Sequence, residues 1–130
     1  MKDDISSADL AFLGDAVYEL YVRRLLIESG ANRPPDEAVK YVCASAQSEA
    51  FSRVEGMLTE EETDVYHRAR NNYHTQNVPK SATPVQYRRA TGFEALVGWL
   101  YLRQDTARLE EIINCAFGLG IKCERKTEND

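Results

Sequence analysis

The sequence predicts an all-α domain, and three observations carry that prediction. Apolar residues recur at three- and four-residue spacing through most of the chain. Each periodic run opens on Ser, Thr, Asp or a proline pair, and no stretch alternates apolar and polar residues as a strand would. A length of 130 residues suits one domain with a real core and is too short for two.

About five main helices follow in order. Ser6, with Asp9 three residues on, opens the first, which runs to about Glu28 and stops at Gly30. Pro34 and Pro35 open the second, with Asp36 and Glu37 suited to its positive end. Its stripe of Val39, Val42, Cys43, Ala46, Ala50 and Val54 predicts one continuous helix ended by Gly56. Thr59 and Glu62 form a capping box for the third, which fades near Tyr73 and gives way to a polar stretch, His74 to Thr83. Thr83 caps and Pro84 begins a long fourth helix reaching about Arg103. Asp105 caps the fifth, with Leu109, Ile112, Ile113, Ala116 and Phe117 turned inward. Residues 1–121 form the domain, and the charged tail 122–130 is expected to fray.

Composition narrows the function classes. Hydrophobic residues at 43% and charged residues at 28% are an ordinary globular balance. No apolar run approaches the roughly 18 residues that cross a bilayer, and the acidic start lacks a signal-peptide core. Cys43, Cys115 and Cys123 include no C-x-x-C pair, which argues against a disulfide framework and against a zinc site. His67 and His74 stand too far apart to share a helix face as ligands. A cytoplasmic location is expected.

The net charge of −5 hides an asymmetry. Residues 65–93 contain no Asp or Glu but carry Arg68, Arg70, Lys80, Arg88 and Arg89, so all 21 acids lie elsewhere with the other 11 basic residues. Clearing 29 residues of negative charge is what phosphate binding requires, although a basic loop without a ligand has the same composition.

Two acids sit on otherwise apolar helix faces. Asp15 shares its stripe with Ala8, Ala11, Tyr18, Val22 and Leu26, and Glu94 shares its own with Tyr87, Ala90, Thr91, Val97, Gly98 and Tyr101. An unpaired carboxylate on such a face needs a cation, a proton or an open cleft, because desolvating it costs several kcal/mol. One solution is a divalent metal ion shared across a helix pair, with Ala11, Gly14 and Gly98 leaving room for ion, water and phosphate. The other is a pair of structural ion pairs, for example with Arg23 or Arg88. The residues alone favour the second.

A resemblance changes that weighing. Phe12-Leu13-Gly14-Asp15-Ala16-Val17 resembles the signature helix of the ribonuclease III family, and Phe93-Glu94-Ala95-Leu96-Val97-Gly98 resembles its second acidic motif. The chain is more closely similar to the mini-ribonuclease III branch, which consists of the nuclease domain without a double-stranded-RNA-binding domain. That match extends through Tyr18-Glu19, Arg68-Ala69-Arg70-Asn71 and Tyr87-Arg88. It implies a homodimer with one Mg²⁺-dependent centre per protomer, cutting both strands of double-stranded RNA to leave 5′-phosphate and 3′-hydroxyl ends. The implied substrate is the 23S ribosomal RNA precursor, with a ribosomal protein as a conceivable helper. Asp15 and Glu94 become catalytic metal ligands. Larger members of the family carry acids where this chain has Ala11 and Thr91, so the site is sparse, and the mini-ribonuclease III branch shares that reduced set.

The remaining site residues follow from both lines of reasoning. Glu19, one turn beyond Asp15, is a candidate outer-shell ligand, or else a salt-bridged surface acid. Arg68, Arg70, Asn71, Lys80, Arg88 and Arg89 are the candidate RNA contacts, since duplex RNA is recognised mostly through shape, 2′-hydroxyls and phosphates. Arg88 could equally be the structural partner of a carboxylate. Phe12 resembles the phenylalanine that enters the partner protomer in the family's dimers, its alternative being core packing. Tyr18, Tyr21, Tyr87, Trp99 and Tyr101 are expected in the core or a dimer interface. A catalytically silent RNA-binding or ribosome-assembly module is the competing function, and it would not need acids facing phosphate.

Overall fold

The computed structural model describes residues 4–72 and 82–118. The described residues form six α-helices: α1 Ser7–Glu28, α2 Pro34–Val42, α3 Ala44–Ser52, α4 Glu60–Asn71, α5 Pro84–Leu102 and α6 Thr106–Phe117. A short 3₁₀ turn, Glu55–Met57, links α3 to α4, and no strand occurs among the described residues. The tail 122–130 lies outside them.

Local chemistry explains where most helices begin. The Ser6 side chain accepts the Asp9 backbone N–H at 3.0 Å. Thr59 with Glu62 and Thr83 with Gln86 both close full capping boxes, each satisfying two otherwise orphaned N–H groups. Asp105 accepts from the Arg108 backbone N–H at 3.3 Å.

Helix α5 runs through the centre, in contact with α1, α3, α4 and α6. It buries Ala90, Phe93, Ala95, Leu96, Val97 and Leu100, so it has no consistent polar face. An aromatic chain crosses the core beside it. Tyr18 meets Phe93 edge-on at 5.6 Å, Phe93 meets Phe51 at 5.6 Å, and Phe51 stacks on Tyr66 at 4.0 Å. The buried Tyr18 hydroxyl donates to the Tyr41 carbonyl at 2.9 Å, which satisfies it and holds α2 against α1. The α6 residues Leu109, Ile112, Ile113, Ala116 and Phe117 are all buried, as their spacing predicts.

Three findings depart from the sequence-based expectations. The helix predicted from Pro34 to Gly56 is broken at Cys43, whose backbone is extended (φ −75°, ψ 160°). The break lets α3 fold back along α5, which a straight helix could not do, and it leaves Val39 66% exposed instead of buried. Gly56 then falls inside the 3₁₀ turn instead of ending a helix. The second departure concerns Gly14 and Gly98, which do not hold open space for a ligand. A Cβ on Gly14 would overlap the Glu94 carbonyl oxygen, and one on Gly98 would overlap the carbonyl of Leu10. Their missing side chains let the backbones of α1 and α5 touch. Third, Ala8 is exposed at the end of its stripe, where it lines an open cavity instead of the core.

One buried acid belongs to the scaffold. Glu62 is 4% exposed, completes the α4 capping box, and accepts two hydrogen bonds from Arg108 at 2.8 Å each. Arg108 also donates to the Met57 carbonyl at 2.8 Å, tying α6 to the start of α4.

The glycine contact sets the first expectation. Gly98→Ala should lower stability by about 3 kcal/mol, as expected for overpacking against a rigid backbone. Chemical denaturation with urea measures it, and a loss below about 0.5 kcal/mol, the scale of an ordinary surface substitution, would contradict the close approach of α1 and α5.

Candidate active site

The contact at Gly14 and Gly98 decides where the two acids lie. Asp15 follows Gly14 on α1, and Gly14 presses on the main chain of Glu94 itself. Both side chains therefore line a single open cavity of about 330 Å³. Its other walls include Ala11, Phe12, Asn72, Tyr87 and Thr91. Ala11 and Thr91, the positions that are acidic in larger members of the family the sequence resembles, thus face the same space and leave it wider and less charged.

Glu94 is half-buried. Burial pushes its carboxyl up to about 8; a hydrogen bond from Gln47 opposes that rise, and the carboxylates of Asp15 and Glu19 reinforce it. Gln47 Nε2 donates to Glu94 Oε2 at 3.0 Å from a side chain that is itself buried. Asp15 is exposed on the cavity wall, and its carboxylate lies near enough to Glu94 to add to that rise. Neither acid makes a salt bridge to a basic side chain among the described residues. Arg23, one of the two structural partners considered, pairs instead with Glu19 at 3.3 Å. The ion pair and partial exposure of Glu19 make it a surface acid whose field still reaches Glu94.

A basic cavity lies beside the acidic one. It measures about 310 Å³ and is lined by Arg70, Asn71, Val85, Arg88 and Arg89. The two cavities share α4 and α5 as walls: Ala69 and Asn72 with Tyr87, Thr91 and Glu94 on the acidic side, Arg70 and Asn71 with Val85, Arg88 and Arg89 on the other. Arg68 is exposed on the same end of α4, and Arg70 donates to Asn71 Oδ1 at 3.1 Å.

Arg89 also has a structural role. Its guanidinium donates to Ser48 Oγ at 2.9 Å, the Ser48 carbonyl at 3.3 Å and Ser52 Oγ at 2.6 Å, and lies 5.3 Å over the Phe51 ring. It clamps α3 to α5, so most of its donors are already used within the protein. Lys80 and His74 fall outside the described residues, and His67 is exposed. Phe12 is 82% exposed, which removes core packing as the explanation for it. Of the expected aromatic residues, Tyr18 is fully buried, Tyr87 lines the acidic cavity, and Tyr101 is half exposed. Trp99 is partly buried beneath Arg103, whose guanidinium lies 4.4 Å from the ring centroid.

Sequence reasoning missed Gln47 and Asn72. The only signal for Gln47 was a long polar side chain on the same helix stripe as Ala50, Phe51 and Val54, and nothing marked Asn72 except its place at the end of α4.

Known proteins match both the sequence and the fold. The profile of the Ribonuclease III domain family matches residues 8–105. The chain belongs to the ribonuclease III family. It is 46% identical over 110 residues to the Mini-ribonuclease 3 of Symbiobacterium thermophilum, covering 82% of this chain and 84% of that one. It is 44% identical over 116 residues to the Mini-ribonuclease 3 of Streptococcus pneumoniae, covering 85% and 89%. The crystal structure of a Fusobacterium nucleatum protein superposes with a TM-score of 0.77 at 34% identity, covering 92% of this chain and 97% of that one. The chain is thus an endoribonuclease of the ribonuclease III family, whose members generally depend on a divalent metal and act on double-stranded RNA.

The raised Glu94 carboxyl has a stability consequence in metal-free protein. An ordinary glutamic acid releases its proton near 4.5, whereas Glu94 in the folded state holds it to about 8. Between those values the folded state binds the extra proton, so stability present at low pH is lost as pH rises toward 8. Glu94→Gln should remove that loss and raise Tm by several degrees at pH 8, with the gap closing toward pH 5. Thermal melts in a chelating buffer test this, and parallel curves for the two proteins would contradict it.

Proposed function

We propose that the chain is a Mg²⁺-dependent endoribonuclease that cuts both strands of double-stranded RNA as a homodimer. The products are 5′-phosphate and 3′-hydroxyl ends, and the substrate is the 23S ribosomal RNA precursor. The observation that carries this reading is the pairing of Asp15 and Glu94 in one solvent-open cavity beside a basic cavity.

The donor set fits the ion. Both ligands are hard carboxylate oxygens, and their mutual repulsion is what a divalent cation relieves. Among the described residues no group of three or more His, Cys, Asp or Glu forms a metal cluster. Magnesium tolerates that sparseness, since it keeps several waters and often binds through one or two carboxylates plus substrate phosphate. When bound, it supplies an activated water and neutralises charge on the phosphate under attack.

The chain's own residues do the rest. Asp15 and Glu94 would hold the cation through their carboxylate oxygens. Tyr87, Thr91 and Asn72 present hydroxyl and amide groups on the cavity wall for phosphate or ribose oxygens. Arg68, Arg70, Asn71 and Arg88 continue that path and compensate the charge of the RNA backbone away from the cut. Phe12, Leu20 and Ile27 leave an exposed apolar strip on α1. That strip adjoins a groove of about 510 Å³ between α1 and α2, lined in part by Ile27, Pro34, Pro35, Ala38, Val39 and Val42. An apolar surface of this kind marks an interface, and in the proposed dimer a second copy of the chain covers it.

Asp15→Asn and Glu94→Gln should each reduce Mg²⁺-dependent cleavage of duplex RNA by at least about a thousandfold, the scale of removing a key catalytic group. Duplex binding in chelator should persist in both. Gel assays of a radiolabelled precursor duplex decide this, and cleavage surviving both substitutions would remove the metal assignment. Arg68→Ala and Arg70→Ala should each weaken duplex binding several-fold and flatten its log–log salt dependence by about one unit. A salt slope unchanged in both would place the RNA elsewhere.

A further inference from the structure

Gln47 stands apart from the rest of the buried surface. It is one of the few polar side chains in the core, 3% exposed, and its amide is given to an acid of the active cavity. A neutral amide and a basic group would do different things at that position. An arginine or lysine would pair with Glu94 and compete with any cation. An amide holds one carboxylate oxygen in place and leaves the negative charge, with most of its lone-pair sites, available.

The frame behind Gln47 is rigid. Its backbone N–H bonds the Cys43 carbonyl at 3.0 Å, so its position is set at the first hydrogen-bonded turn of α3. One residue later, Ser48 is gripped by Arg89 of α5. Ser52 is held by the same guanidinium, and Phe51 stacks between them on Tyr66. The amide therefore reaches Glu94 from a helix that is clamped to the helix carrying Glu94.

We propose that Gln47 is a positioning residue for the divalent cation, fixing Glu94 Oε2 so that the carboxylate stays turned into the cavity beside Asp15. The inference rests on the metal-site reading above. Without the amide, the Glu94 side chain is free to rotate away from Asp15, and the cation loses a preset ligand. Residues that orient metal ligands in this way typically contribute ten- to a hundredfold to metal affinity.

The test uses the near-isosteric apolar variants Gln47→Met and Gln47→Leu of the full chain. Mn²⁺ binding in the absence of RNA is followed by the electron paramagnetic resonance signal of the free ion. The expected result is an Mn²⁺ dissociation constant raised roughly tenfold, with duplex RNA affinity in chelator unchanged. The metal concentration that half-saturates cleavage should rise in step, while the rate at saturating metal recovers. The Mn²⁺-induced rise in Tm, taken within each protein, gives the same comparison where a variant starts less stable. An Mn²⁺ affinity within twofold of the parent in both variants would overturn the inference and leave Gln47 as a tether between α3 and α5. Asp15→Asn separates the two levels: if Mn²⁺ binding to the parent does not depend on Asp15, the metal site itself fails and this inference fails with it.

Discussion

The main-chain contact between α1 and α5 is the constraint on which the rest of the structure depends. Two helices normally stand 8–10 Å apart because their side chains keep them there. At Gly14 and Gly98 there is nothing to keep them apart, and each glycine meets a carbonyl of the other helix. Asp15 and Glu94 are the immediate neighbours of that contact, so their shared cavity is a by-product of how closely two backbones approach. The other helices brace α5 from its remaining sides: α3 through the Arg89 clamp, α4 through the Tyr66 ring packed against Gly92, and α6 through its apolar face.

The protein treats its two poorly exposed acids in opposite ways. Glu62 is capped, doubly hydrogen-bonded and neutralised by Arg108, and this holds its carboxyl below the ordinary range despite its burial. Glu94 receives one neutral amide and faces two other carboxylates, and its carboxyl is driven upward. A chain able to build the first arrangement could have built the second in the same way. Leaving Glu94 uncompensated costs stability, and such costs collect where function requires charge without a partner.

Much of this was legible in the sequence wherever the cause is local. Ser6, Thr59 with Glu62, Thr83 with Pro84, and Asp105 announce helix starts because a cap involves only three or four consecutive residues. The apolar face of α6 was equally plain. Asp15 and Glu94 were visible as acids on apolar faces, but only family motifs favoured a metal over an ion pair. Features that depend on distant partners were not legible. Cys43 breaks a well-patterned helix because α3 packs on α5, and nothing near Cys43 says so. Gly14 and Gly98 suggested empty space until the opposing carbonyls were seen. Arg89 looked like one more cation of an acid-free segment, although its partners lie 37 to 41 residues earlier.

The extended residue at Cys43 also divides the molecule mechanically. Helix α2 buries no residue of its own, whereas α3 buries Gln47, Ser48, Ala50 and Phe51. Had the two been one rod, every excursion of the peripheral half would have been levered into the half that touches Glu94. With the rod cut, α2 is fastened to α1 through the Tyr18–Tyr41 hydrogen bond while α3 is locked separately to α5 by Arg89. The helix break thus gives the two halves separate anchors, so the half that touches Glu94 does not depend on how the peripheral half is fastened.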